Sequence, residues 1–138
     1  MKEFNPDIIV DSTNSPIGRV ASFAAKQALL GKSIAIVNCK NSIVSGTRSS
    51  ILEKYRTARA RGKGWNNAGP HFPKSAERLM KRTVRGMLSY KQGRGDAAFK
   101  KIICFNEIPN NLLNKEKISF AKKFKIKTTK LNEVSKEL

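Results

Sequence analysis

Residues 7–38 read DIIVDSTNSPIGRVASFAAKQALLGKSIAIVN, and this stretch decides the fold. Residues 7–11 and 33–38 have the apolar centres of short strands. Between them, Ser15-Pro16 predicts a helix start, with Ser as N-cap and Pro at the first helical position, and Gly31 predicts the helix end. Strand, helix and strand within about thirty residues form a βαβ unit, so we predict an α/β fold with a parallel, right-handed crossover.

Further elements follow downstream. Residues 43–44 predict a short extended piece that follows the second strand too closely to be its parallel neighbour. The clearest helix is predicted over residues 75–89, where Ser75 can cap the first turn. The remaining predictions are a helix over 49–60, a chain break at 93–95, a short helix over 96–100, a strand over 101–105 ended by Ile108-Pro109, and an extended piece at 128–129 that leads into a last helix over 131–138.

The composition predicts one folded domain over residues 1–138. The chain has 138 residues, and its 39% hydrophobic content argues against disorder. No apolar run approaches the ~20 residues that a membrane span needs, and the first eleven residues lack the apolar centre of a secretory signal. We therefore expect a cytoplasmic protein.

Positive charge is concentrated in one region. The net charge is +18, and residues 48–101 hold fifteen Lys or Arg against three Asp or Glu, including eight of the nine arginines. Like charges this close together repel one another and destabilise the folded protein, and binding a polyanion relieves the repulsion. Arginine favours phosphate in particular, because its planar guanidinium can donate two parallel hydrogen bonds. The lysine-rich tail, about residues 115–138, adds further charge. The partner classes that fit are nucleic acid, an anionic membrane surface and an acidic protein.

The basic region favours RNA among these partners. On the helix over residues 75–89, apolar side chains fill one half of the helical wheel and Arg78, Lys81, Arg82 and Arg85 fill the other. The preceding Gly/Pro-rich loop carries rings that can stack on unpaired bases. No helix-turn-helix, zinc finger or basic zipper pattern favours DNA, and the basic faces lack the apolar surface of an interfacial membrane helix.

Patterns that would indicate catalysis or metal binding are weak. Gly31-Lys32-Ser33 lacks the first glycine of a phosphate-binding loop and enters a strand rather than a helix. Residues 11–14 lie at the carboxyl end of the first strand, where α/β proteins often bind ligands, although holding the turn is the simpler role. Cys39 and Cys104 are predicted to be reduced thiols, because only His71 could join them at a zinc site. We predict no cofactor, metal or small-molecule substrate. An enzyme acting on RNA or a nucleotide and a general DNA-binding protein remain the rival classes.

The sequence resembles the thirteenth universal protein family of the large ribosomal subunit, in its archaeal/eukaryotic form. The most specific match is Arg82-Thr-Val-Arg-Gly-Met-Leu88. Lys40 replaces an acid that is usual in the family, and Ser89 replaces a common Pro. The long C-terminal extension of eukaryotic members is missing, which favours an archaeal type. The other matching pieces are Val10-Asp11 with Thr13, Ile17-Gly-Arg19, Ala21-Ser22, Ile36-Val-Asn38, Ile43-Val-Ser-Gly46, Gly69-Pro70, Lys91, Arg94, Gly95 and Ile108-Pro109.

The resemblance implies a three-layer α/β/α fold around a four-stranded parallel sheet with strand order 3-2-1-4. It also implies a structural constituent of the large subunit that binds ribosomal RNA, contacts neighbouring ribosomal proteins, supports subunit assembly and translation, and has no catalytic role. We expect no membrane partner and no obligate homo-oligomer. The residues predicted to contact RNA are Arg48, Lys54, Arg56, Arg59, Arg61, Lys63, Trp65, His71, Lys74, Arg78, Lys81, Arg82, Arg85, Lys91 and Arg94.

Overall fold

The structure is a computed structural model that describes residues 3–61 and 70–138. Five α-helices, a four-stranded sheet and a two-stranded sheet lie in this part of the chain. The strands are β1 (Ile8–Asp11), β2 (Ile34–Val37), β3 (Ile43–Ser45), β4 (Ile102–Cys104), β5 (Ile118–Ser119) and β6 (Thr128–Lys130). The helices are α1 (Ile17–Leu29), α2 (Arg48–Ala60), α3 (Ala76–Gly86), α4 (Gly93–Lys100) and α5 (Leu131–Glu137).

The main sheet has the order β4-β2-β1-β5, and every neighbouring pair is parallel. In this sheet β4 is the third strand along the chain and β5 the fourth, so the order 3-2-1-4 is confirmed. The register aligns Val10 with Ile36 and Ile36 with Cys104. The α/β class and the βαβ unit formed by β1, α1 and β2 are confirmed as well.

The two faces of the sheet are covered unequally. Val10, Ile36 and Ile102 point to one face, where they pack with buried residues of α1, α3 and α4. Ile9 and its neighbours on the other face pack against Leu112 in a short 3-10 helix, Asn110–Leu112. The three predicted layers are therefore uneven, since helices cover one face whereas a short 3-10 helix and connecting segments cover the other.

Helix α1 begins one residue later than predicted and ends where predicted. It starts at Ile17, with extended Pro16 in the capping position, and Ser15 is not the N-cap. The Ser15 hydroxyl instead donates to main-chain oxygens within the preceding turn. At the other end, Gly31 has a φ of 95°, and the amides of Gly31 and Lys32 donate to carbonyls of the last helical turn. This left-handed ending is the one that glycine favours.

The predicted chain break at residues 93–95 is wrong. Helix α4 begins at Gly93 and contains Gly95, which is buried. A Cβ atom at Gly95 would lie 2.0 Å from the carbonyl oxygen of Ser89. The glycine is therefore needed because two backbone segments approach closely, and it marks packing rather than a break.

The segment after β5 returns to complete a small second sheet. Strand β3 pairs antiparallel with β6, so residues 43–45 lie outside the main sheet, in agreement with the prediction that they are not a parallel neighbour of β2. Helix α5 follows β6 directly, and its Val134 packs against Ile51 and Leu52 of α2. The C-terminal part of the chain thus covers the apolar face of α2.

Candidate functional site

Helix α3 separates apolar from basic side chains. Leu79, Met80 and Val84 are buried as the periodicity predicts, whereas Met87 is 45% exposed. Met87 leaves the packed face because the helix ends at Gly86, earlier than predicted. We call Arg78, Arg82 and Arg85 the α3 basic face.

Two guanidinium groups of the α3 basic face rest on aromatic rings. The Cζ atom of Arg82 lies 4.6 Å from the ring centre of Phe72, and that of Arg85 lies 4.9 Å from the ring centre of Tyr90. Arg82 also donates to the carbonyl oxygen of His71 over 3.3 Å. Cation–π contacts of this kind restrict a long side chain before any ligand arrives, which lowers the entropy cost of binding.

A cleft of about 230 Å³ opens beside these arginines. Its cationic lining attracts anions, and guanidinium groups suit phosphate because they can donate two parallel hydrogen bonds. The cleft therefore combines the groups that recognise phosphate with rings that can face a base. Its lining residues are His71, Pro73, Arg78, Lys81, Arg82, Arg85 and Phe99.

Lys81 has a structural role that the helical wheel does not reveal. Its Nζ donates to the carbonyl oxygen of Phe99 over 2.8 Å and to that of Ile102, and lies 4.2 Å from the Phe99 ring centre. Burial lowers the pKa of Lys81, although the nearby Cys104 thiol opposes this shift. The side chain thus links α3 to the junction between α4 and β4.

Replacing Lys81 is expected to reduce stability more than replacing its exposed neighbour Arg78. We expect Lys81→Met to lower the free energy of unfolding by about 1–3 kcal/mol, because two carbonyl groups lose their donor. Arg78→Met should change it by less than about 0.5 kcal/mol. Urea unfolding of both variants tests this, and equal losses would contradict the structural role of Lys81.

Three predicted arginines of α2 contact the C-terminal helix. Arg48 forms an ion pair with Glu137. Arg56 donates to the main-chain oxygen of Glu137 over 3.3 Å, and Arg59 donates to that of Leu138 over 2.9 Å. These arginines therefore stabilise the packing of α2 against α5, which the charge pattern of α2 alone does not predict.

The remaining residues predicted to contact RNA are spread over α2, the segment before α3 and the region around the start of α4. The side chains of this group are exposed wherever the structure describes them, which leaves them accessible to a ligand. Lys63 and Trp65 lie outside the described residues, as does most of the Gly/Pro-rich loop that precedes α3. The described members are Lys54, Arg61, His71, Lys74, Lys91 and Arg94.

The polar turn after β1 is held by Asp11. One carboxylate oxygen accepts hydrogen bonds from the Thr13 amide (3.0 Å), the Thr13 hydroxyl (2.7 Å) and the Asn38 side-chain amide (3.1 Å). Burial opposes the charge of Asp11, but these bonds and the charge of Lys117 hold its pKa below the ordinary value. Asp11 thus joins the ends of β1 and β2, in agreement with a role in holding the turn.

Removing the Asp11 carboxylate should make the protein less stable in a pH-dependent way. We expect Asp11→Ala to cost about 1–3 kcal/mol at neutral pH, because three donors lose their acceptor. Since the pKa is lower in the folded chain, the contribution is complete above the ordinary value of 3.8 and is lost as pH falls through the folded value. Urea unfolding across acidic pH measures it. Glu53→Ala, at an exposed position of α2, is the control, and an equal loss there would contradict the prediction.

Within residues 3–61 and 70–138, no group of three or more His, Cys, Asp or Glu side chains could hold a metal ion. Both cysteines are free. The neighbouring Cys104 side chain, together with burial, raises the pKa of the Cys39 thiol. Among the same residues, no helix is both long and apolar enough to cross a membrane.

Comparison with known proteins identifies the family. The family model described as Ribosomal protein L13 matches residues 6–111. The chain belongs to the ribosomal protein L13 family. The large ribosomal subunit protein uL13 of Natronomonas pharaonis is 37% identical over 137 residues, which cover 99% of this chain and 93% of that protein. The uL13 proteins of Methanosarcina barkeri and Methanocaldococcus jannaschii are 40% and 36% identical over 82% and 94% of this chain, and over 80% and 96% of their own lengths.

Family membership establishes the general role. Members of the ribosomal protein L13 family are structural components of the large ribosomal subunit and not enzymes, and its archaeal members match most of this chain. Membership implies ribosomal RNA and other ribosomal proteins as partners. The enzyme alternative is therefore excluded.

Lys40, at a position where the family resemblance predicts an acid, has an acidic partner in the structure. Its Nζ lies 2.8 Å from a carboxylate oxygen of Glu107, and both side chains are exposed. This hydrogen bond and the Lys40 charge lower the pKa of Glu107. The pair connects the 3-10 helix Cys39–Asn41 to the segment after β4.

Proposed function

We propose that this L13 protein is a scaffold that binds large-subunit ribosomal RNA chiefly through the α3 basic face, and thereby supports subunit assembly and translation. The observation that carries this proposal is the positioning of Arg82 and Arg85 on aromatic rings beside a cationic cleft. The α/β body holds these groups in place and performs no chemistry.

Phosphate contacts supply most of the affinity in this proposal. Each contact releases condensed counterions, so affinity falls as salt rises. The RNA is recognised mainly by its shape, because side chains cannot read the deep, narrow major groove of A-form RNA. The ring of Phe99 and the imidazole of His71 border the cleft, where they can meet an unpaired base.

The α2 arginines contribute in a second way. A guanidinium has five N–H donors, and the contacts of Arg56 and Arg59 with α5 use only some of them. The same side chains can thus hold α5 and still donate to phosphate. The proposed interface extends to the remaining predicted residues except Lys81, whose ammonium group is held by the carbonyl oxygens of Phe99 and Ile102. These residues are Arg48, Lys54, Arg61, Lys63, Trp65, His71, Lys74, Lys91 and Arg94.

Salt-dependent competition binding tests the proposal against general DNA binding. The full chain is mixed with labelled, protein-free large-subunit ribosomal RNA and challenged with unlabelled duplex DNA over a range of salt concentrations. With five or more phosphate contacts, the logarithm of RNA affinity should fall with the logarithm of salt with a slope of about −4 or steeper. Ribosomal RNA should retain the protein against an equal mass of duplex. Equal affinity for both polymers, or binding that ignores salt, would contradict the proposal.

A further inference from the structure

The chain adds strands to the main sheet on both sides of β1, so the strand order reverses between β1 and β5. From β1 the chain adds β2 and then β4 on one side, whereas β5 lies on the other side of β1. In open parallel α/β sheets, such a reversal creates a crevice beyond the carboxyl ends of the two strands, where ligands bind. The polar turn formed by residues 11–14 lies at this edge of the sheet, and the function proposed above assigns no ligand to it.

A cleft of about 300 Å³ lies at this reversal point. Asn14, which follows β1, lines one part of it, and residues 121–124, which follow β5, line another. Ile43 and Thr128, from the small second sheet, complete the lining. The cleft shares no lining residue with the cleft beside the α3 basic face.

The lining contains complementary chemical groups. Lys122 and Lys123 supply two ammonium groups, Phe124 supplies a half-buried ring, and Asn14 and Thr128 supply an amide and a hydroxyl group. Ammonium groups bind phosphate, aromatic rings stack on bases, and polar side chains bind sugar hydroxyls or base edges. All three kinds of group are present within one nucleotide-sized cleft.

The carboxylate of Asp11, in the neighbouring turn, does not line the cleft and therefore does not prevent an anion from binding there. Asp11 is not among the lining residues and already accepts three hydrogen bonds from Thr13 and Asn38. The lysines of the cleft lie in a segment that also contains Lys125 and Lys127. Crowding of like charges favours occupation by an anion.

We propose that this cleft binds one nucleoside monophosphate unit, with its phosphate between Lys122 and Lys123 and its base against Phe124. Either an unpaired nucleotide of ribosomal RNA or a free nucleotide presents this chemistry. The site is separate from the α3 basic face. It would give the protein a second contact with RNA, made to a single nucleotide.

Nuclear magnetic resonance of the ¹⁵N-labelled full chain tests the proposal with two probes, adenosine monophosphate and a single-stranded adenosine hexanucleotide. We expect saturable shifts of the Asn14, Lys122 and Thr128 amides. Saturation by the mononucleotide shows that a free nucleotide suffices, whereas shifts with the hexanucleotide alone identify an RNA chain as the source. The absence of shifts with both probes overturns the proposal.

Matched variants separate a built site from general charge attraction. We expect Lys122→Gln with Lys123→Gln to weaken hexanucleotide binding about tenfold, since both ammonium groups that hold the phosphate are lost. Lys125→Gln with Lys127→Gln removes the same charge from residues that do not line the cleft, and should weaken it less than about threefold. Phe124→Leu keeps the charge and should weaken binding about fivefold or more. Equal effects of the two lysine pairs overturn the proposal. The Arg82 and Tyr90 amides report on the α3 basic face separately, so failure here is distinguishable from failure of the proposed function.

Discussion

Replacing Gly95 with alanine is expected to destabilise the protein by about 3 kcal/mol or more, which lowers the melting temperature by about 10 °C. The added Cβ would lie 2.0 Å from the carbonyl oxygen of Ser89 and 2.3 Å from its carbon. Both are backbone atoms, so rotation of a side chain cannot relieve the overlap. Helix α4 must shift, and it carries the Phe99 carbonyl that Lys81 binds.

Gly93→Ala is the matched control for this prediction. Gly93 lies two positions earlier in the same helix, and a Cβ there would meet no atom within 4 Å. Alanine should leave stability unchanged or raise it by up to about 1 kcal/mol, because glycine is the poorer helix former. Thermal unfolding of both variants distinguishes the cases. Equal melting temperatures would show that the approach of α4 to Ser89 does not require glycine.

The triple variant Arg78→Gln, Arg82→Gln and Arg85→Gln is expected to bind large-subunit ribosomal RNA about 100-fold more weakly, since up to three phosphate contacts disappear. The slope of log affinity against log salt should become shallower by about 2 units. Filter binding over a salt series measures both effects. The free energy of unfolding should fall by no more than about 2 kcal/mol, because the contacts of Arg82 and Arg85 with aromatic rings and with the His71 carbonyl lie near the surface, where each contributes about 1 kcal/mol or less.

A variant with the same charge loss elsewhere controls for net charge. Arg19, Lys26 and Lys32 are exposed on α1 or just beyond its end, and none belongs to the predicted interface. Their joint replacement by glutamine should weaken RNA binding less than about fivefold, through the general field alone. Equal losses in the two triple variants would indicate that net charge, and not the α3 basic face, determines affinity.

A third variant tests the aromatic supports without changing charge. Phe72→Leu with Tyr90→Leu removes the rings beneath Arg82 and Arg85. We expect about a fivefold loss of RNA affinity with an unchanged salt slope, because the arginines must then lose more freedom on binding. A changed slope would instead mean that the rings alter the number of phosphate contacts.

The sequence predicts best what neighbouring residues determine. The apolar strands of 7–38, the helix between them and the left-handed Gly31 depend on local periodicity and local backbone geometry, and all are present. The order of the four strands does not follow from any local pattern. It was available only through the resemblance to the family, because it depends on where β4 and β5 dock.

Features that depend on distant contacts were predicted poorly. The glycines of 93–95 are typical of a chain break, and only the approach of Ser89 shows why Gly95 lies inside a helix. Lys81 belongs to the basic half of the helical wheel, yet neighbouring carbonyl groups of α4 and β4 draw it inward. Wheel position alone therefore cannot distinguish a side chain that binds a ligand from one that links two elements.

The packing of α2 against α5 affects how the chain folds during synthesis. Arg56 and the main-chain oxygen that it binds on Glu137 are 81 residues apart along the chain. While the nascent chain is still emerging, α2 lacks the partner that covers Ile51 and Leu52. Its native docking therefore has to wait until α5 has been synthesised, and α5 does not cover Ile51 and Leu52 before then.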